Sequence, residues 1–256
     1  VYVSLNFKDN VTEAVKTETK GNIISNLTEN LAIMSIDTEY TDPTTTFLEV
    51  TTSFNFDPDQ TNLTAEATEN LIEETITNYF TNNLTTFDAT FRKSNILTDI
   101  DSLSPAILNS KMEIKLQQRF TPTVNSTVNY TVAFPVALAS PDDVLYRVTS
   151  SSFTFDGQDA QIKNRFSSNI LEICNATSGV TLVDNIGTYD EAKGTVNLVG
   201  FNPTAIAGSE MKITATPANE STIRPLRSYI LAIDNSVSAA KAVVDNQETP
   251  SVISYT

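Results

Sequence analysis

The run Phe47-Leu48-Glu49-Val50-Thr51-Thr52-Ser53-Phe54-Asn55-Phe56 decides the fold class. It is rich in β-branched and aromatic residues, which fit a pleated, half-buried surface, so it reads as a strand. After a short polar stretch the period changes. From Ala65 onward Ile72, Ile76, Tyr79 and Phe80 make a helical stripe. Thr64 stands where an N-cap belongs, and Glu66 and Glu69 lie near the positive end of the helix dipole.

Working outward, Ile23, Ile24, Leu27 and Leu31 predict a helix starting near Lys20. Met34 to Tyr40 alternates as a half-buried strand should, and Asp42-Pro43 ends it, because proline has no N–H for a ladder. Ser94 to Ile100 predicts a short capped helix, and Met112 to Gln117 another strand. Together these segments describe a compact mixed α/β module over residues 1–120. Beyond Phe120 the strands are short and frequent. Val124 to Phe134, Tyr146–Phe155, Ile170–Cys174, Val180–Asp184, Thr195–Phe201 and Met211–Thr216 are the candidates, with a turn at Ala139 to Asp143. Gly179, Gly187, Gly194, Gly200 and Gly208 fall between or at the ends of the later ones, where positive φ is useful. Ile223–Ile233 reads as a terminal strand, and the tail from Val237 as a short helix or a disordered end. The expected class is α+β: an N-terminal mixed α/β module, residues 1–120, then a β-rich C-terminal domain, residues 121–256. Phe120–Pro122 is a candidate hinge.

Composition narrows the chemistry. The 256 residues carry 16 Lys and Arg against 31 Asp and Glu, a net charge of −15, with 40% apolar residues. A core is expected, whereas binding to phosphate backbones or anionic lipid is opposed by charge in both halves. No nucleic-acid partner or membrane insertion is therefore expected, and with no recognisable site no small-molecule substrate is expected either. There is no histidine, which excludes a Ser-His-Asp triad, a histidine base and any His-ligated metal. The single cysteine, Cys174, excludes an internal disulfide and reads as a buried structural thiol. No apolar run reaches the length of a membrane span. The N-terminal Val1-Tyr2-Val3-Ser4-Leu5 lacks a signal-like pattern, so the chain is expected to be part of something longer. Sequons at Asn10, Asn62, Asn125 and Asn175 match chance in a chain so rich in Asn, Ser and Thr.

Few constellations could carry chemistry. Asn55-Phe56-Asp57-Pro58-Asp59-Gln60-Thr61, with Glu66, has the oxygen spacing of an EF-hand loop. Gln60 stands where that loop needs glycine, Pro58 intrudes, and a strand precedes it. A strand-to-helix turn with Asx caps accounts for the same residues, so no metal or other cofactor is expected, although an ion near Asp57 and Asp59 stays open. Asp99/Asp101, Asp142/Asp143 and Asp156/Asp159 are pairs any acidic chain contains. Ser150-Ser151-Ser152 has no nucleophile-elbow context. Arg224-Pro225-Leu226-Arg227 is a small basic spot, read as a solvated turn. No phosphate-binding glycine loop occurs, and no enzyme is expected.

The order of segments carries a resemblance. Ile36-Asp37-Thr38-Glu39-Tyr40-Thr41-Asp42-Pro43 followed by Phe47-Leu48-Glu49-Val50 resembles the baseplate J-like proteins of contractile phage tails. The long helix ending Tyr79-Phe80, the stretch Phe87-Asp88-Ala89-Thr90-Phe91-Arg92-Lys93-Ser94-Asn95-Ile96-Leu97-Thr98-Asp99-Ile100-Asp101, and the strand around Met112–Gln118 follow in the family's order. Ser151 to Phe155 and Gly194 to Phe201 extend the likeness. The whole is similar to the C-terminal part of T4-type baseplate wedge subunits, the gene-product-six kind. One departure is Asn82-Asn83-Leu84, where the family core usually carries a glycine.

The resemblance implies a structural role in the virion's tail baseplate, with assembly in the host cytoplasm. It implies homodimers that link wedges into a ring around the hub, contacts with other wedge subunits, and rearrangement when the baseplate switches. It supplies no catalytic residue and no cofactor. The alternative is a receptor- or carbohydrate-binding β module of a tail or adhesin. One interface is expected at the chain's end, where Val252, Ile253 and Tyr255 alternate like a strand that could join a neighbour's sheet.

Overall fold

The computed structural model describes residues 2–8, 10–30, 39–40, 42–226 and 228–245. In chain order the first elements are β1 (Tyr2–Val3), α1 (Glu13–Asn30), β2 (Glu39–Tyr40), β3 (Thr44–Phe56), α2 (Ala65–Asn83), β4 (Phe91–Arg92), α3 (Lys93–Asp101) and β5 (Ile107–Phe120). Then come β6 (Val128–Ala133), β7 (Val148–Ser150), β8 (Phe153–Phe155), β9 (Gln158–Asn164), β10 (Ile170–Asn175) and β11 (Thr181–Asp190). The last are β12 (Thr195–Phe201), β13 (Ala205–Ile206), β14 (Met211–Ala215), β15 (Thr222–Ile223), β16 (Tyr229–Ile233) and β17 (Ala239–Val244). The class is α+β, as expected, and a single large mixed sheet draws strands from both halves of the chain.

The strand predicted from Phe47 to Phe56 is β3, and it is longer by three residues at its start. Thr46, Leu48, Val50, Thr52, Phe54 and Phe56 are buried and the residues between them are less so, which is the period of two that a core-facing strand needs. β3 pairs antiparallel with β5 from Phe47↔Gln117 to Phe56↔Ile107. On its other side it takes two parallel partners in turn: β16 along Thr44–Leu48 and β17 along Thr51–Phe56. From β5 the sheet continues through β14, β7, β9, β10, β11 and β12 to β6. The order then rolls back on itself. Tyr130 of β6 lies 5.1 Å from the Phe120 ring at the end of β5, and its hydroxyl accepts the Thr123 N–H at 2.8 Å.

α2 forms where its stripe predicts. Thr64 caps it by accepting the Ala67 N–H, and Ile72, Ile76 and Phe80 are buried. Phe80 and Phe91 pack at 5.7 Å, and Tyr79 meets Phe91 edge-on at 6.3 Å. One apolar cluster runs from these residues through Leu48, Ile114 and Leu116 to Leu171, Tyr189 and Phe201. Among the described residues no helix is long and apolar enough to cross a membrane.

Several expectations are corrected. α1 starts at Glu13, not near Lys20. Its first turns, Glu13 to Thr19, carry only Val15 as a large apolar residue, and Val15 is exposed, so no stripe announces them. Leu31 and Met34 to Thr38 lie outside the described residues, and only Glu39–Tyr40 of that strand is described, paired parallel with β1. α3 has no side-chain cap. Arg92 holds the N-cap position, and the Lys93 N–H is met by the Ser221 carbonyl at 3.0 Å instead. Ile223–Ile233 is two strands, β15 on β4 and β16 on β3, not one. The tail from Val237 is neither helix nor disordered end up to Asp245. Its Ala-rich run favours helix on propensity, but pairing with β3 makes it β17. β9 was not foreseen. Its inward positions are Ala160, Ile162 and Asn164, and one of those three is polar. The five glycines named above all adopt positive φ.

Candidate interaction surfaces

Several of the residues singled out for chemistry are occupied with local structure. Asp57 turns its carboxylate onto the Asp59 N–H at 3.0 Å, capping the 3-10 turn Pro58–Gln60 that joins β3 to α2. Among the described residues no three Cys, Asp or Glu side chains come together as metal ligands would. Asp101 accepts the Ser110 hydroxyl. Ser150 accepts the Ile162 N–H at 2.8 Å, and Ser151 the Lys212 N–H at 3.0 Å, so both act as sheet patches. Cys174 is 5% exposed, and burial pushes its thiol up, away from the reactive thiolate. Arg224 is exposed beside buried Pro225. Val252, Ile253, Tyr255 and Arg227 lie outside the described residues.

A polar node that no motif announces joins four neighbouring strands at one end of the sheet. Asp234, just past β16, is 6% exposed. Its Oδ2 accepts from Lys212 Nζ at 2.7 Å, Arg119 Nη2 at 2.8 Å and Gln117 Nε2 at 3.0 Å. Its Oδ1 takes the Ser236 N–H and hydroxyl. Burial alone would raise the Asp234 carboxyl, but the bonds from Lys212, Ser236 and Gln117 outweigh it and hold the group well below the usual carboxylate range. Gln117 also donates to Glu49 at 2.8 Å, and Glu49 accepts the Thr214 hydroxyl at 2.7 Å. Arg119 lies over the Phe47 ring, 3.7 Å from its centroid. The node therefore ties β3, β5, β14 and β16 together. The only local hints are Gln117 and Gln118, where the alternation of β5 breaks.

The outer side of β17 is closed by α2. Ala240 donates to Glu73 at 3.0 Å and Ala242 to Glu69 at 2.8 Å. Carboxylates that take up edge N–H groups deny them to another chain's strand. A cleft of about 280 Å³ remains beside them, lined by Glu73, Glu74, Ile76, Ile233 and Asn235 among others. It opens between α2 and the turn that carries Asp234.

Most exposed apolar side chains stand singly, but Val144, Leu145, Tyr146 and Phe166 stand together. The rings of Tyr146 and Phe166 stack at 4.5 Å with 20° between their planes. Asp142 accepts the N–H groups of Val144 and Leu145 and the Arg147 guanidinium, and those N–H groups foremost hold its carboxyl below the usual range.

Residues 44–119, the unit from β3 through α2 and α3 to β5, match the family model of the baseplate structural protein gp6, C-terminal domain III. No match is found among curated proteins.

Proposed function

We propose, from the premise that this chain is a gp6-like baseplate structural protein, that it works as a self-associating building block of a phage tail baseplate. The observation that carries the reading is that the family match begins and ends with a structural unit, the β3–α2–α3–β5 framework. The structural description of the matching family supports a function that lies in what the surfaces grip, since a fold alone does not decide function. The coarse role is structural and belongs to the virion's baseplate. The finer reading is that two copies pair, that pairs link neighbouring wedges into a ring around the hub, and that other wedge subunits bind the same copies.

Residues 1–120 and 121–256 are the two modules of this reading. Strand pairing crosses between them, since Met211 of β14 pairs with Phe120 and β16 and β17 return to β3. That pairing favours a chain that moves as one piece, with contacts between copies changing on baseplate switching, over one that flexes at Phe120–Pro122. The alternative of a sugar-binding module is disfavoured by Tyr146 and Phe166, which each spend a ring face on the other.

Multi-angle light scattering on the purified chain tests the self-association. The expected mass is that of a dimer or larger. A strict monomer at the highest soluble concentration contradicts it.

A further inference from the structure

We infer that the surface of Val144, Leu145, Tyr146 and Phe166 is where one copy meets a second copy across a two-fold axis, with Asp143 of each facing Lys163 of the other. The inference rests on the self-association proposed above and names its surface.

Exposure is the first ground. Val144 is 70% exposed, Leu145 57%, Phe166 42% and Tyr146 38%, although the next apolar residue, Val148, is fully buried. Single exposed apolar residues need no explanation, but a cluster built on a stacked aromatic pair marks a contact surface. Tyrosine is also a residue type that dominates binding energy at interfaces.

Preorganisation is the second. Asp142 fixes the Val144 and Leu145 backbone at 2.9 and 2.8 Å and holds Arg147 at 2.7 Å. The Ser167 N–H donates to the Asp142 carbonyl at 2.8 Å, which ties the Phe166 turn to the same loop. Asn164 accepts the N–H groups of Arg147 and Val148. Folding has therefore already met the entropy cost of ordering this surface, and a partner need not.

Charge selects the occupant. Asp143 is exposed, and Lys163 lies 5.0 Å over the Tyr146 ring. Among the described residues neither is in an ion pair. An acid and a base beside an apolar centre make a self-complementary patch. A two-fold contact pairs each with its opposite twice over. Such pairs set register and orientation more than raw affinity. The net charge of −15 argues against lipid or nucleic acid as the occupant.

Sedimentation velocity on four forms tests this: the unmodified chain, Leu145→Glu, Lys163→Glu, and Asp143→Lys combined with Lys163→Glu. Thermal melting of each checks that it is folded. Leu145→Glu is expected to weaken self-association at least about 30-fold. Lys163→Glu, which sets carboxylate against carboxylate, is expected to weaken it about tenfold, and the double change to restore it. Hydrogen exchange at residues 143–147 in the unmodified chain is expected to slow as concentration rises. If the unmodified chain is monomeric, the self-association itself fails. If it associates and Leu145→Glu associates equally well, this surface is overturned while self-association stands. If the double change stays as weak as Lys163→Glu, with both folded, the facing pair is overturned.

Discussion

Asp234→Ala is expected to destabilise the chain by about 3 kcal/mol, the low end of what breaking a buried ion pair costs. The substitution removes the acceptor from Lys212, Arg119 and Gln117 at once and leaves two cations without the carboxylate they share. The low end applies because the Arg119 and Lys212 side chains keep 24% and 29% exposure and can regain some water. Chemical denaturation read by circular dichroism measures the loss, and a change under about 0.5 kcal/mol, the size of an ordinary surface substitution, contradicts it. The same group has a pH signature. Its folded pKa is depressed, so its contribution is present above the carboxylate's ordinary value near 3.8 and is lost as pH falls below it. Asp234→Asn should therefore show a shallower loss of stability below about pH 4 than the unmodified chain. Because Asp234 sits between β16 and β17, the weakened form should open first at the chain's C-terminal strands. Hydrogen exchange would show this as faster exchange in residues 229–244 than in β10.

Gly187→Ala is the second large effect. Gly187 holds φ +150, and a Cβ there would meet the Asn197 carbonyl oxygen at 1.9 Å and its carbon at 2.9 Å. Both are backbone atoms of the adjacent strand, paired by Gly187↔Leu198, so no rotamer change relieves the contact. β11 and β12 must part or slip, at a cost of about 3 kcal/mol or more. Tyr189, fully packed two residues on, would be drawn into the same disruption. Soluble yield and melting temperature measure it. Gly157→Ala is the control, because its φ is also positive, at +73, but nothing lies within 4 Å of the new methyl group. A Gly187→Ala form as stable as the Gly157→Ala form would contradict the account.

Where packing follows a local period, the sequence could be read almost to the residue. β12 occupies Thr195–Phe201 as expected, β3 contains the quoted run, and Thr64 caps α2. The failures are equally local in cause. α1 begins in a polar run because helix formation there does not bury a stripe. β17 is Ala-rich and becomes a strand only because β3 has an open side and Glu69 and Glu73 finish its edge. β9 hides one inward position in Asn164, whose side chain serves the backbone of β7 instead of the core.

The interaction surfaces were less legible than the fold. The Asp234 node assembles from residues near 49, 117–119, 212–214 and 234–236, which only the sheet order brings together. Val144-Leu145-Tyr146 looks like the start of a core strand, since three apolar residues in a row carry no mark of exposure. The turn set by Asp142 is what lifts them out of the core.

The central claim is that this chain is a baseplate component whose copies grip one another. Imaging assembled tails at side-chain resolution tests it most directly. The account expects copies of the β3–α2–α3–β5 framework within the baseplate, arranged as a ring around the hub with each copy touching another. Finding the chain outside the baseplate, or as isolated copies with no contact between them, would contradict it.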